Sequence, residues 1–169
     1  NYQYKCGYIK KEVLSDPKDD NEEHASTVPE YTNISKDYKI NLAFHQVTSM
    51  DGNATLAQMV ADAQGVNTIS PTWFSVTDNN GTISSLASAD YVNQAHAMGM
   101  EVWGLIDNFN SGTDNLTFLS STAARANIIQ QLMTQAASVG LDGINLDFES
   151  ITEEQAPHYI QFVRELSIA

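Results

Sequence analysis

Residues 141–150, Leu141-Asp142-Gly143-Ile144-Asn145-Leu146-Asp147-Phe148-Glu149-Ser150, constrain this chain more than any other stretch. Ile144, Leu146 and Phe148 alternate with Asn145, Asp147 and Glu149. Successive side chains of a strand point to opposite faces, so the three apolar residues share one face and the amide and two carboxylates share the other. At this spacing the carboxylates stand about 7 Å apart. Such a strand needs an apolar layer behind it and presents paired acids in front. That is a poor solvent-facing surface and a workable acid-catalytic one.

The preceding chain alternates short apolar runs with helical periodicity. Residues 40–45 read as a first strand, ending at His45 and Gln46. Residues 56–63 carry apolar side chains at 56, 59, 60 and 63, the spacing of one helix face, and Gly65 is a fitting stop. Residues 66–70 read as a second strand. Pro71-Thr72-Trp73-Phe74 follows it, and then a hairpin over residues 75–84 that turns at Asp78-Asn79-Asn80-Gly81. Ser88 is placed to cap a second helix ending at Gly99. Residues 101–107 read as a third strand, 108–114 as a polar loop, 122–139 as a long helix stopped by Gly140, and 141–150 as the fourth strand. Thr152 caps a last helix over 153–166, with Gln155 positioned for a capping box. The order β-α-β-α-β-α-β-α predicts a parallel sheet covered by helices. Loops leaving the strands are long and polar, whereas loops leaving the helices are short. Function is therefore expected at the C-terminal ends of the strands.

The 169 residues suffice for one domain, and the formal charge of −13 argues against nucleic acid and anionic membrane surfaces as partners. Six of the 21 acidic residues fall between positions 16 and 30, within a polar stretch, 16–38, that reads as a linker. Residues 1–15 include Gly-Tyr-Ile-Lys-Lys-x-x-Leu, strand-like and similar to the last strand of a bacterial SH3-like domain; an arbitrary strand end is the alternative. The domain proper is expected over 39–169. A single cysteine, Cys6, excludes an internal disulfide framework. No apolar run reaches the roughly 18 residues of a membrane span. The chain opens on Asn rather than Met and is expected to be a piece of a longer protein.

Paired carboxylates in a confined site oppose each other's ionisation, which keeps one protonated near neutral pH. Cleavage of a glycosidic bond needs such an acid for the leaving oxygen. Glu149, last in the strand and nearest the open face, is the better donor. Asp147 lies one layer deeper, where it can orient a group or stabilise positive charge. Asn145, deeper again, is placed to hydrogen-bond Asp147 without adding a third charge.

Asp142-Gly143-Ile144-Asn145-Leu146-Asp147-Phe148-Glu149 resembles the Asp-x-x-Asp-x-Asp-x-Glu signature of glycoside hydrolase family 18, carried on the fourth strand of a TIM (β/α)8 barrel. Asp142, Asp147 and Glu149 match, and Asn145 replaces the middle Asp. Ser70-Pro71-Thr72-Trp73-Phe74 and Trp103-Gly104-Leu105-Ile106-Asp107-Asn108-Phe109 are similar to the branch of bacterial spore-cortex and cell-wall hydrolases. The resemblance implies a substrate-assisted retaining mechanism. Glu149 would be acid and then base, and Asp147 would orient the substrate's 2-acetamido group. Asp142 and Gly143 would be structural at the strand entrance. The substrate would be a polysaccharide containing N-acetylhexosamine, peptidoglycan or chitin-like, met outside the cell, in the wall or on the spore. No cofactor is implied.

The third strand ends in Leu105-Ile106-Asp107-Asn108 rather than the family's Ser-x-Gly-Gly element, which puts chitin in particular in doubt. A full barrel needs about 250 residues. From residue 39 the chain holds four βα units, the N-terminal half of a barrel, without the family's sixth-strand Tyr and eighth-strand Trp. The chain alone is expected to be an inactive fragment, and its open sheet edges could support self-association.

Four further residues are candidate substrate contacts. Trp73 could stack on a sugar or pack under the hairpin. Asp107 and Asn108 could meet hydroxyls or cap a loop. His45 could touch ligand or be a satisfied structural histidine. The histidines show no i, i+4 pairing, so no zinc site is expected. Asp142, Asn145, Asp147 and Glu149 could hold a hard cation, but no metal is expected. A non-catalytic, lectin-like barrel is the alternative function. A nucleotide-binding domain would need a Gly-rich turn after the first strand, and none is present.

Overall fold

The computed structural model describes residues 10–14 and 35–169. Most of the SH3-like tail and of the linker lies outside these residues. In the described part of the tail, Lys11–Val13 is a single 3-10 turn rather than strand.

The compact unit spans Lys36–Ala169. Its strands are β1 (Leu42–His45), β2 (Thr68–Val76), β3 (Ile83–Ser85), β4 (Glu101–Asp107) and β5 (Gly143–Asp147). Its helices are α1 (Leu56–Val60), α2 (Ala89–Ala97), α3 (Asn115–Ser120), α4 (Thr122–Val139) and α5 (Ala156–Ile168). β1, β2, β4 and β5 pair in parallel in that order, and β3 folds back antiparallel on the end of β2. The expected alternation of strand and helix is therefore realised as four parallel strands joined through helices.

Two elements depart from expectation. β2 does not stop before Pro71 but runs through it as one strand to Val76. Pro71 lies opposite His45, the last residue of β1, and the β2–β4 register shifts between Thr72 and Phe74. A strand end beside a bulge is where a missing backbone N–H is tolerated. The second departure is α3, inserted before α4. Asp114 caps it by accepting from the Thr117 N–H at 2.7 Å, and Phe118 and Leu119 are fully buried.

The helix side of the sheet holds the core. Ile69, Trp73, Phe74, Val102 and Ile106 of the strands meet Leu56, Tyr91, Phe118, Ile128, Leu132 and Phe162 of the helices and the segments before them. Local signals start α2 and end α4 where the sequence places them, whereas α1 ends at Val60, short of the expected residue 63. Ser88 Oγ accepts from the Tyr91 N–H, and Gly140 adopts φ 78° after α4, a left-handed turn that suits a residue without a Cβ. The capping box before α5 forms: Thr152 N–H donates to Gln155 Oε1 and Gln155 N–H to Thr152 Oγ1, with one turn between it and the helix. Asp78 Oδ1 organises the hairpin turn by accepting from the Asn80 and Thr82 N–H groups. The bonds from Thr82 lead in holding its carboxyl below the usual range. A Cβ on Gly81 in this turn would fall 2.2 Å from the Ala124 carbonyl oxygen, so glycine lets the hairpin seat on α4.

At the N-terminal ends of the strands, Lys36 Nζ and Tyr38 Oη both donate to Glu101 Oε1, and Trp103 Nε1 donates to Glu101 Oε2. The Lys36 bond leads in holding the Glu101 carboxyl below its ordinary value. These contacts place Lys36 and Tyr38, read from sequence as linker, within the domain. Among the described residues no helix is long and apolar enough to cross a membrane.

Candidate active site

β5 realises the alternation of residues 141–150. Ile144, Leu146 and Phe148 pack against the core. Phe148 stacks on Phe162 at 5.6 Å and on Tyr159 at 5.7 Å, and meets Phe118 edge-on at 6.0 Å. That aromatic plug lies between Asp147 and Glu149 in sequence and turns both away from the helices. Burial, followed by the negative charge of Asp147, pushes the Tyr159 hydroxyl above its usual range. Glu149 is exposed and Asp147 half-buried.

The register aligns a polar row at the C-terminal ends of the strands. Ser75 lies opposite Asp107, and Asp107 opposite Asp147. Residues paired this way share a face, here the side without helices. Ser75 Oγ donates to Asp107 Oδ1 at 2.7 Å, and Phe109 N–H donates to the same oxygen at 3.1 Å. One layer deeper, Asn145 Nδ2 donates to Ser70 Oγ at 3.0 Å. β4 lies between these two strands, so the bond passes over Leu105, which is 1% exposed. Contact between side chains of alternate strands is how the layers inside a (β/α)8 barrel are built. The amide of Asn145 therefore serves the sheet's curvature. The hydrogen bond to Asp147 expected from its position is not formed.

Asp142 immediately precedes β5. Its Oδ2 accepts from Val102 N–H at 2.7 Å and faces His96 Nε2 at 2.8 Å, tying the start of β5 to β4 and α2. Gly143 lies under Trp103, whose Cδ1 would be 3.0 Å from a Cβ there. A cavity of about 550 Å³ lined by Tyr38, Asn67, His96, Glu101 and Asp142 belongs to this entrance end, opposite the carboxylates.

Three of the four candidate substrate contacts make structural contacts inside the domain, the alternative that the sequence left open for each. Trp73 is 1% exposed, its ring edge-on to Tyr91 and Phe74 and its Nε1 donating to Asn53 Oδ1 at 2.7 Å. Alternation from Ile69 puts Trp73 on the helix side, and the shift in register brings Phe74 to the same side, so no ring face of Trp73 is open to a sugar. His45 is 5% exposed and also on the helix side, stacked on Tyr91. Thr55 gives its one hydroxyl proton to the Gly52 carbonyl, so His45 Nε2 donates to Thr55 Oγ1 and Nδ1 accepts from Tyr91 Oη. Asn108 Nδ2 donates to both Asn115 Oδ1 and the Glu149 carbonyl, and Asn108 Oδ1 accepts from the Glu149 N–H. Its donors are spent inside the protein. Asp107 is half-buried beside Asp147 on the helix-free side of the sheet. Phe109, 56% exposed, is the aromatic next to this row, and its place in a polar loop gave no periodic signal.

His45 carries a pH prediction. Burial holds its imidazole below the ordinary value. The unfolded chain binds a proton at about pH 6.5 that the folded chain resists, so the His45 contribution is present above that pH and lost as pH falls below it. Between pH 7 and 5 the unfolding midpoint should decline, and His45→Gln should flatten the decline. Parallel curves for both proteins would refute this.

No family model and no curated protein matches the chain. Solved structures do. A chitinase from Chromobacterium violaceum is 19% identical with a TM-score of 0.58, over 75% of this chain and 40% of that one. The spore cortex-lytic enzyme SleL of Bacillus cereus is 18% identical with a TM-score of 0.61, over 74% of this chain and 31% of that one. A GH18 chitinase from Cycas revoluta, solved with (GlcNAc)4, is 14% identical with a TM-score of 0.61, over 76% and 39%. The chain thus spans well under half the length of each. Over the part that it spans, this chain has the α/β fold of a GH18 TIM barrel, as these chitinases and the spore cortex-lytic enzyme do.

Proposed function

We propose that this chain carries the acid and its supporting strand in a glycoside hydrolase that cleaves N-acetylhexosamine glycans, peptidoglycan or chitin-like, with retention of configuration. The observation that carries this reading is the placement of Asp147 and Glu149. Both stand at the C-terminal end of a parallel strand, on the helix-free side, with Phe148 between them locked in the core. Glu149 protonates the glycosidic oxygen as the bond to the anomeric carbon breaks. The substrate's acetamido oxygen attacks that carbon and closes an oxazolinium ring, whose positive charge Asp147 stabilises. Water then attacks the anomeric carbon and opens the ring as the Glu149 carboxylate takes a proton from that water, which restores the acid, so no covalent enzyme intermediate forms. Asp107, beside Asp147, is left to meet sugar hydroxyls.

The likeness to a cortex-lytic enzyme and to a chitinase solved with (GlcNAc)4 supports this substrate class and a site of action at the cell wall or spore. Four parallel strands make one wall of a site that a barrel closes with eight. In our reading the full rate needs the remaining wall, and the 169-residue chain alone turns over little.

The assisted mechanism is tested with the N-acetylglucosamine tetramer and its de-N-acetylated counterpart, using the protein in which this chain is continued to a closed barrel. Removing the acetyl group removes the nucleophile, and turnover should fall by about 10³-fold or more. Comparing kcat at saturating concentrations of each substrate separates this loss from any weaker binding. Equal turnover of the two substrates would sink the assisted mechanism.

A further inference from the structure

We propose that Asn108 is a positioning residue that sets the direction of the Glu149 carboxylate by clasping the Glu149 backbone; this rests on the reading of Glu149 as the acid. Asn108 Nδ2 donates to the Glu149 carbonyl at 3.0 Å, and Glu149 N–H donates to Asn108 Oδ1 at 2.9 Å. A side-chain amide thus closes a two-bond ring with the peptide groups of one residue. The regular β4–β5 ladder ends at the Asp107–Asp147 pair. The Asn108 side chain supplies the next rung, where the two backbones no longer pair.

The clasp has one orientation. The second hydrogen of Nδ2 goes to Asn115 Oδ1 at 3.0 Å, at the first residue of α3. A flipped amide would set its oxygen against the Asn115 oxygen and the Glu149 carbonyl, and its nitrogen against the Glu149 N–H. The backbone leading to Asn108 is fixed as well, because Asp107 Oδ1 accepts from both Ser75 Oγ and Phe109 N–H.

Glu149 sits where the chain needs holding. Ser150 takes φ 54°, the one non-glycine positive φ among the described residues. That left-handed conformation is disfavoured for a residue with a Cβ and persists where surroundings impose it. Phe148 on one side and the Asn108 amide on the other pin the Glu149 backbone, while its side chain stays exposed. The only freedom left to the carboxylate is its own rotamers, and its reach toward a glycosidic oxygen is set before substrate arrives.

Three variants and two readouts test this in the protein with the barrel completed, on the N-acetylglucosamine tetramer. Asn108→Ala removes the clasp. Asn108→Asp keeps the acceptor for the Glu149 N–H but turns oxygens toward the Glu149 carbonyl and Asn115, and serves if the Ala variant does not fold. Both should lower kcat by about 10- to 100-fold, the scale of a misplaced catalytic group, with KM within about threefold. Hydrogen exchange at the Glu149 amide should quicken in Asn108→Ala, which leaves that N–H without its acceptor. Glu149→Gln separates the two levels of the argument. If it leaves turnover intact, the reading of Glu149 as acid fails. If it abolishes turnover while Asn108→Ala and Asn108→Asp keep the wild-type kcat, the positioning role is overturned. Unchanged exchange at the Glu149 amide in Asn108→Ala would overturn the clasp whatever the kinetics.

Discussion

Glu149→Gln is expected to lower turnover of the N-acetylglucosamine tetramer by about 10²–10⁴-fold, the usual contribution of a positioned general acid. Glutamine matches glutamate in shape but has no proton to give to a leaving oxygen. The structure makes the change a clean one. Glu149 is held through its backbone by Asn108 and through its neighbour Phe148 by the core, and neither contact involves the carboxylate. An exposed side chain with no such role should change stability by no more than about 0.5 kcal/mol. Glycan binding should survive, because acetamido and hydroxyl contacts do not need the acid proton. Parallel measurements of cleavage and affinity therefore discriminate between outcomes. Lost cleavage with retained binding supports a hydrolase. Unchanged cleavage removes Glu149 from the mechanism. A closed-barrel protein that binds the tetramer and never cleaves it would favour the lectin-like alternative.

Trp73→Ala is expected to cost about 3–5 kcal/mol of folding stability, the scale for deleting a large aromatic from a core. Trp73 is the largest of the fully buried side chains, wedged against Phe74 of its own strand and Tyr91 of α2. Trp73→Phe is the sharper probe. It keeps a ring in the site but removes the Nε1 donor, leaving Asn53 Oδ1 without its 2.7 Å partner. An unsatisfied buried acceptor costs about 1–3 kcal/mol. Asn53 also anchors the segment between β3 and α2 through its bond to the Leu86 carbonyl, so the loss should spread to that segment. Denaturant unfolding measures both variants. Native stability in Trp73→Phe combined with lost affinity for the tetramer would return Trp73 to the sugar site and refute its structural role.

The ends of β4 and α4 are legible in the sequence because each is marked by local chemistry. An apolar run opens after Gly99-Met100, Ser121 supplies a cap whose Oγ accepts from the Ala124 N–H, and Gly140 supplies a left-handed stop. The same holds for the capping box at Thr152 and Gln155 and for the division of β5 into two faces. α3 was harder to read because six residues give little periodicity and its cap, Asp114, sits in a polar loop. The path of β2 through Pro71 depends on what lies alongside: the end of β1 on one side and a register shift against β4 on the other.

The candidate site divides along the same line. By itself the sequence determined that Asp147 and Glu149 share a face, because Asp147, Phe148 and Glu149 are joined covalently and the pleat alternates their directions. Only the tertiary structure decided what surrounds them. The continuation of β2 past Pro71 keeps Trp73 in parity with Ile69 and so makes it core, and strand parity puts His45 under Tyr91. Asn145 finds Ser70 across an intervening strand, and Asn108 finds the backbone of Glu149. These pairings join residues 75 and 41 positions apart, and they depend on sheet register and curvature, which the packing of the whole domain sets. Local rules can say that two carboxylates share a face; the assembled sheet says what holds them there.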